Sequence, residues 1–123
     1  MTAVGVVHLE PGRVDLKAVA VGAPGSGELK VRALCSAISS GTESLVFRGR
    51  LPEPSLDDMR LDPFLEAQGY PMASGYALVG EVLASGDEAD ESWVGRHVFV
   101  FHSHQSELVV STDRCYLLPE GMP

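Results

Sequence analysis

Three places in this 123-residue chain hold side chains that could do chemistry. The first is Ser40, Thr42 and Glu43, inside "SSGTES". Either hydroxyl could donate to a substrate carbonyl or pass a proton, with Glu43 completing a polar cleft lining. Ordinary turn chemistry accounts for the same residues: the hydroxyls bond nearby backbone and Glu43 pairs with an arginine such as Arg48. The second is Tyr76, which follows a tight glycine, Gly75, and precedes the apolar run "ALVGEV". The third is His102 and His104 in "FHSHQ", the close histidine pair of the chain. On a strand the two would face the same side and could share a metal. Two ligands are too few for zinc, and no third is evident nearby, so a solvated loop pair is the plainer reading.

Short strands must position these residues. In Glu28–Cys35, "ELKVRALC", Leu29, Val31, Ala33 and Cys35 fall on one face and the charged residues on the other. Period two with one wet face is the mark of a strand over a core. Val4–Glu10 and Val14–Val21 read as two more strands around the turn Pro11-Gly12, with Val14, Leu16, Ala18 and Ala20 sharing a face. Ala77–Leu83, His97–Phe101, Glu107–Val110 and Cys115–Leu118 complete the set. Gly80, inside one of them, signals a close backbone approach or a bulge. A short turn or helix is expected near Glu43–Phe47. "GAPGSG" at 22–27 is a turn, because no helix follows to make a phosphate cradle. Residues 50–70 are polar and acidic, with Ser55 placed to cap a short helix that Pro63 would end. That excursion reads as a solvated loop, with a substrate lid over 53–66 as the sharper alternative. Many short strands with little helix give a mainly β fold, a small barrel or sandwich, in a single domain.

Composition removes several functions. The formal charge of −8, with no clustered Lys/Arg stripe, argues against nucleic acid and anionic membrane surfaces. No apolar run approaches the roughly 20 residues that span a bilayer, and the first residues lack a signal-peptide pattern. The cytoplasm is the expected location. The two cysteines, Cys35 and Cys115, are read as buried core thiols rather than nucleophiles, and His8 and His97 as structural strand residues.

The order of the pieces resembles a known family. "APGSGELKVRALCSAISSGTE" is similar to the Pro-Gly-x-Gly-Glu strand and following loop of the medium-chain dehydrogenase/reductases, the zinc alcohol dehydrogenase superfamily. "SSGTESLVFRG" resembles their Cys-Gly-Ser/Thr-Asp segment, and "YPMASGYALVGEV" their Pro-x-x-x-Gly-His-Glu-x-x-Gly-x-Val segment. "WVGRHVFVF" resembles the Val-Gly-Asp-Arg-Val strand, and "LLPEGM" the exit into the nucleotide domain. Within the superfamily, "SAISSGTESLVFRG" looks most like members related to bacteriochlorophyllide dehydrogenases.

The resemblance implies a GroES-like, partly open β-barrel with short helices, spanning residues 1–123. It implies NAD or NADP as cofactor, a small-molecule substrate, and hydride transfer to or from a carbonyl, alcohol or activated alkene. In zinc members the first ligand positions are a cysteine and a histidine. Laid on this sequence they are Ser40 and Tyr76, with Ala77 at the following glutamate. A hydroxyl and a phenol are poor zinc ligands beside thiolate and imidazole, so the resemblance implies a zinc-independent member. Tyr76 would then polarise a carbonyl in place of the metal, or simply pack as an aromatic with its hydroxyl in water. By the same resemblance, His102 and His104 lie near the substrate cleft and could contact substrate or shuttle a proton. The 123 residues hold no dinucleotide fingerprint, so a Rossmann domain in cis or in trans is the implied partner. The alternative is a stand-alone barrel that binds a small ligand or a protein without catalysis, with its docking face covered in a homodimer.

Overall fold

The computed structural model describes residues 2–50, 70–89 and 91–121. The 53–66 lid and the Ser55 cap therefore lie outside the described residues. Among the described residues, eight strands run in the order β1 Thr2–Glu10, β2 Arg13–Ala20, β3 Glu28–Ala37, β4 Met72–Ala73, β5 Ala77–Ser85, β6 His97–Val100, β7 Glu107–Ser111 and β8 Cys115–Leu117. The same residues hold the helix α1 Thr42–Arg48 and two single-turn 3-10 segments. None of the described helices is long and apolar enough to cross a membrane.

The strands form two sheets, one ordered β2-β1-β4 and one ordered β7-β3-β5-β6-β8. All named pairings are antiparallel. The main core belongs to the five-stranded sheet, where Leu29, Val31, Leu78, Val82, Val98, Val100 and Leu108 are at most 1% exposed. Each such side chain contributes about 1.5–3 kcal/mol by leaving water. This is the apolar face expected for the Glu28–Cys35 segment, but only for its first half.

The second half departs from expectation. Ala33 pairs with Gly80 and Cys35 with Val79, so β3 spends one more residue than β5 over the same step. That bulge breaks the period-two alternation, and Cys35 emerges exposed rather than inward. Gly80 sits at the irregularity, where a β-carbon would lie 2.5 Å from Val31 Cγ1 and 2.6 Å from the Arg32 carbonyl. The close approach anticipated at Gly80 is its reason for being glycine. β2 also differs: it forms an edge, and Val14 and Leu16 are 44% and 66% exposed.

Two contacts hold α1 against the β1–β2 hairpin. Gly12 N–H donates to the Phe47 carbonyl at 2.6 Å. Gly49, with φ of 71°, ends α1 in the left-handed region, and a β-carbon there would collide with the Pro11 ring at 2.6 Å. The Tyr70 hydroxyl donates to the Val46 carbonyl on the same helix.

Candidate functional site

A cavity of about 490 Å³ opens between β1, the far end of β3, α1 and the segment 102–106. Val6, Val14, Ile38 and Phe47 make its walls apolar. Its polar end gathers His8, Ser36, Ser40, Glu43 and His104.

His104 reaches this place because its backbone is tied on two sides. Its N–H donates to the Ser74 carbonyl at 2.8 Å, and its carbonyl accepts from Val6 N–H at 3.0 Å. Ser106 continues the stitching to β1 through Val4, and Gln105 bridges to Gly5. The imidazole lies against Gly75, whose φ is 101°. A β-carbon at Gly75 would fall 2.6–2.8 Å from three ring atoms. Glycine is thus required there by both the dihedral and the space.

Glu43 is brought to the ring by α1. Its Oε2 accepts from Ser39 N–H at 2.5 Å, while Thr42 N–H reaches Ser39 Oγ at 3.4 Å. This reciprocal pair at the helix start works in the manner of a capping box. The other oxygen, Oε1, pairs with His104 Nε2. Opposite, His104 Nδ1 meets Ser36 Oγ at 2.6 Å. The result is a row, Ser36–His104–Glu43, with an exposed hydroxyl at one end and a 6% exposed carboxylate at the other. A buried carboxylate is costly without partners, and the Ser39 N–H and the imidazole supply them.

His8 completes the polar end, 5% exposed, with its ring edge-on to Phe47. Its Nδ1 has no hydrogen-bond partner among the described residues. Burial pushes its pKa below 6.5. Glu43 partly offsets this, and His104 adds to it. His8 therefore stands neutral beside the Glu43–His104 pair at neutral pH.

The candidate residues separate on this frame. Ser40, Glu43 and His104 come together at the cavity. Glu43 meets His104, not Arg48. The two histidines do not act as a solvated pair. His104 is buried, while half-buried His102 turns Nδ1 to the Ser103 carbonyl at 3.0 Å. Burial lowers the His102 pKa as well, offset in part by that bond to Ser103 and reinforced by Arg114. Neither sits on a strand. Thr42 opens α1, and Tyr76 is half-buried just before β5. Ser36 was not singled out from sequence, and His8 was read as a structural strand residue. His8 carried a faint signal, a lone histidine within an apolar strand, whereas Ser36 at the end of β3 carried none.

Ser40 and Tyr76 offer poor zinc donors, and no three His, Cys, Asp or Glu among the described residues are grouped to hold a metal. His104 instead gives one ring nitrogen to Glu43 and the other to Ser36. The glycine-rich turn at 22–27 is filled by protein. Gly25 N–H donates to the Glu28 carboxylate at 2.8 Å, Gly27 N–H bonds the Asp87 carbonyl at 2.6 Å, and strand β3 follows where a phosphate site needs a helix. That turn therefore offers a dinucleotide no cradle.

No family model matches the chain. It is similar to 2-desacetyl-2-hydroxyethyl bacteriochlorophyllide A dehydrogenase of Cereibacter sphaeroides, 31% identical over 83 residues, which are 68% of this chain and 23% of that protein. Among solved structures it superposes on human synaptic vesicle membrane protein VAT-1 homolog-like protein with a TM-score of 0.72 at 22% identity, covering 100% of this chain and 37% of that one. It also matches 2R,3R-butanediol dehydrogenase from Bacillus subtilis with a TM-score of 0.72 at 16% identity, covering 98% and 42%. The chain thus spans well under half the length of each of these proteins.

Proposed function

From the premise that the chain has the GroES-like fold of the N-terminal domain of medium-chain dehydrogenase/reductases, we propose that it is the substrate-binding and catalytic domain of a zinc-independent, NAD(P)-dependent oxidoreductase of that superfamily. Its substrate is a carbonyl compound, an alcohol or an activated alkene with an apolar body. A nucleotide-binding domain in cis or in trans would carry the nicotinamide, which supplies hydride chemistry when bound. The observation that carries this reading is the Ser36–His104–Glu43 row closing the polar end of an otherwise apolar cavity.

This chain's residues would bind and orient the substrate. The apolar walls take its body. Ser36 Oγ, and Ser40 beside it, offer hydrogen bonds to its oxygen. His104 Nδ1 can take the Ser36 proton, and Glu43 fixes the ring. Zinc independence rests on the donor chemistry at Ser40 and Tyr76 and on the engagement of both His104 nitrogens.

The test is NAD(P)H-linked turnover by the protein as its native cell makes it, against a panel of ketones, aldehydes and enones, with and without a zinc chelator. Chelator-insensitive turnover that falls at least about tenfold in Ser36→Ala is the expected result. No dinucleotide-linked turnover, or turnover abolished by the chelator, overturns the proposal.

A further inference from the structure

The hydrogens in the Ser36–His104–Glu43 row decide which ligand oxygen the cavity accepts. A carboxylate can only accept, so the hydrogen between Glu43 Oε1 and His104 Nε2 belongs to the imidazole. In a neutral ring Nδ1 is then bare and must accept. The hydrogen in the 2.6 Å contact with Ser36 therefore comes from the serine. Ser36 Oγ lines the cavity, and with its own hydrogen committed to His104 it offers the cavity lone pairs alone. A ligand hydroxyl can donate to it. A ketone oxygen cannot, because acceptor would face acceptor.

Protonation of His104 reverses the serine. Both ring nitrogens then donate, Nδ1–H points at Ser36 Oγ, and the serine hydrogen is released toward the cavity. A ketone oxygen then gains Ser36 as a donor in addition to Ser40. An alcohol oxygen can play either part and changes little. We propose that the charge state of His104 gates ketone binding in this cavity by turning Ser36 from acceptor to donor, with Glu43 as the positioning residue that fixes the ring. The inference rests on the reading of this cavity as the substrate pocket.

Among the described residues, few other groups bear on His104. Glu43 on α1 is the facing anion, and His8 on β1 is the neighbouring imidazole. Lys17 on β2 borders a smaller hollow that His104 also touches. Ser36 on β3, and Ser74 and Gly75 ahead of β5, bring no charge. Glu43 is thus the anion in direct contact with the ring.

The probes are cyclohexanone and cyclohexanol, equal in shape and different in oxygen. Their dissociation constants are measured by NMR titration of the protein across the pH range in which the His104 ring resonances titrate. Cyclohexanone should bind about tenfold more tightly once His104 is protonated, and cyclohexanol should change by less than about threefold. In Ser36→Ala, whose exposed side chain makes its loss mild for the fold, both probes should still bind and the pH response of cyclohexanone should vanish. Equal pH responses from the two probes, a flat cyclohexanone response, or a full response retained in Ser36→Ala each overturn the gate while leaving the pocket reading intact. Failure of both probes to bind at any pH overturns the pocket reading and the gate with it.

Discussion

Replacing Gly75 by alanine should be among the most damaging single-methyl changes in this protein. Two costs add. The backbone at φ 101° is one that a residue with a side chain rarely adopts, at about 1–3 kcal/mol. The new β-carbon would also stand 2.6–2.8 Å from Nε2, Cδ2 and Cε1 of His104, so the ring must retreat by about 1 Å to recover normal contact. It cannot retreat with its backbone, which Ser74 and Val6 hold. Moving the ring alone breaks its bond to Glu43, and a hydrogen bond to a charged group is worth about 1.5–3 kcal/mol. The sum is about 2.5–6 kcal/mol, a large share of a domain's usual stability. Urea unfolding measures it. Gly22→Ala is the control, since nothing lies within 4 Å of its β-carbon position and its φ is not positive. That variant should stay within about 0.5 kcal/mol of the parent. In the double variant Gly75→Ala, His104→Ala the collision is gone while the backbone strain remains. Its loss should therefore be smaller than the sum of the two single losses by at least about 1 kcal/mol. A Gly75→Ala loss below about 1 kcal/mol, or strictly additive losses, would refute the packing of His104 on Gly75.

Acid should unfold the protein through its buried imidazoles. His8 and His102 have folded pKa values pushed below 6.5 by burial, so the unfolded chain takes up their protons more readily. Their contribution is whole above about pH 6.5 and is lost as the pH falls through their lower folded values. Thermal melting from pH 7.5 to 5 should therefore show a falling midpoint, with a shallower slope in His102→Gln. Melting that rises on acidification contradicts this. The cysteines should separate by reactivity: burial raises the Cys115 thiol to about 11, leaving about one thiolate in a thousand at pH 8, whereas Cys35 is exposed. Brief iodoacetamide treatment of the folded protein should add a single adduct at Cys35 by intact mass and peptide mapping. In the core, Leu78→Ala should cost about 2–5 kcal/mol in the same urea assay, because Leu78 is 1% exposed among other packed aliphatics.

Local patterns made much of the fold legible. The alternation from Leu29 to Val31, the break at Gly80 and the glycine-marked turns each depend on a few adjacent residues, and each expected strand formed within a few positions of its expected bounds, while the two-residue β4 was not expected. What adjacent residues do not encode was missed. The bulge between Ala33 and Cys35 arises from pairing with β5, so the exposure of Cys35 could not be read from β3 alone. β2 is exposed because it lies at a sheet edge, which its own alternation does not reveal. The site follows the same rule. Ser40, Glu43 and His104 were recognisable as candidates, yet Glu43 and His104 stand 61 residues apart and Ser36 and His104 stand 68 apart. The motif resemblance pointed to "SSGTE" and "SGYA", and Ser40, Glu43 and Ser74 from these segments line the cavity. It directed attention to position 76 for the missing imidazole. The imidazole of the cavity comes instead from the loop after β6, and it lies against Gly75, the residue just before Tyr76.

His104 fills this cleft with its two nitrogens committed in opposite senses. The nitrogen-15 shifts of the neutral His104 ring, assigned by comparison with His104→Gln, test this most directly. Nε2 should carry the hydrogen and Nδ1 should be bare, and Glu43→Gln should move the Nε2 resonance. A hydrogen on Nδ1, or a ring averaging freely between the two tautomers, would contradict it.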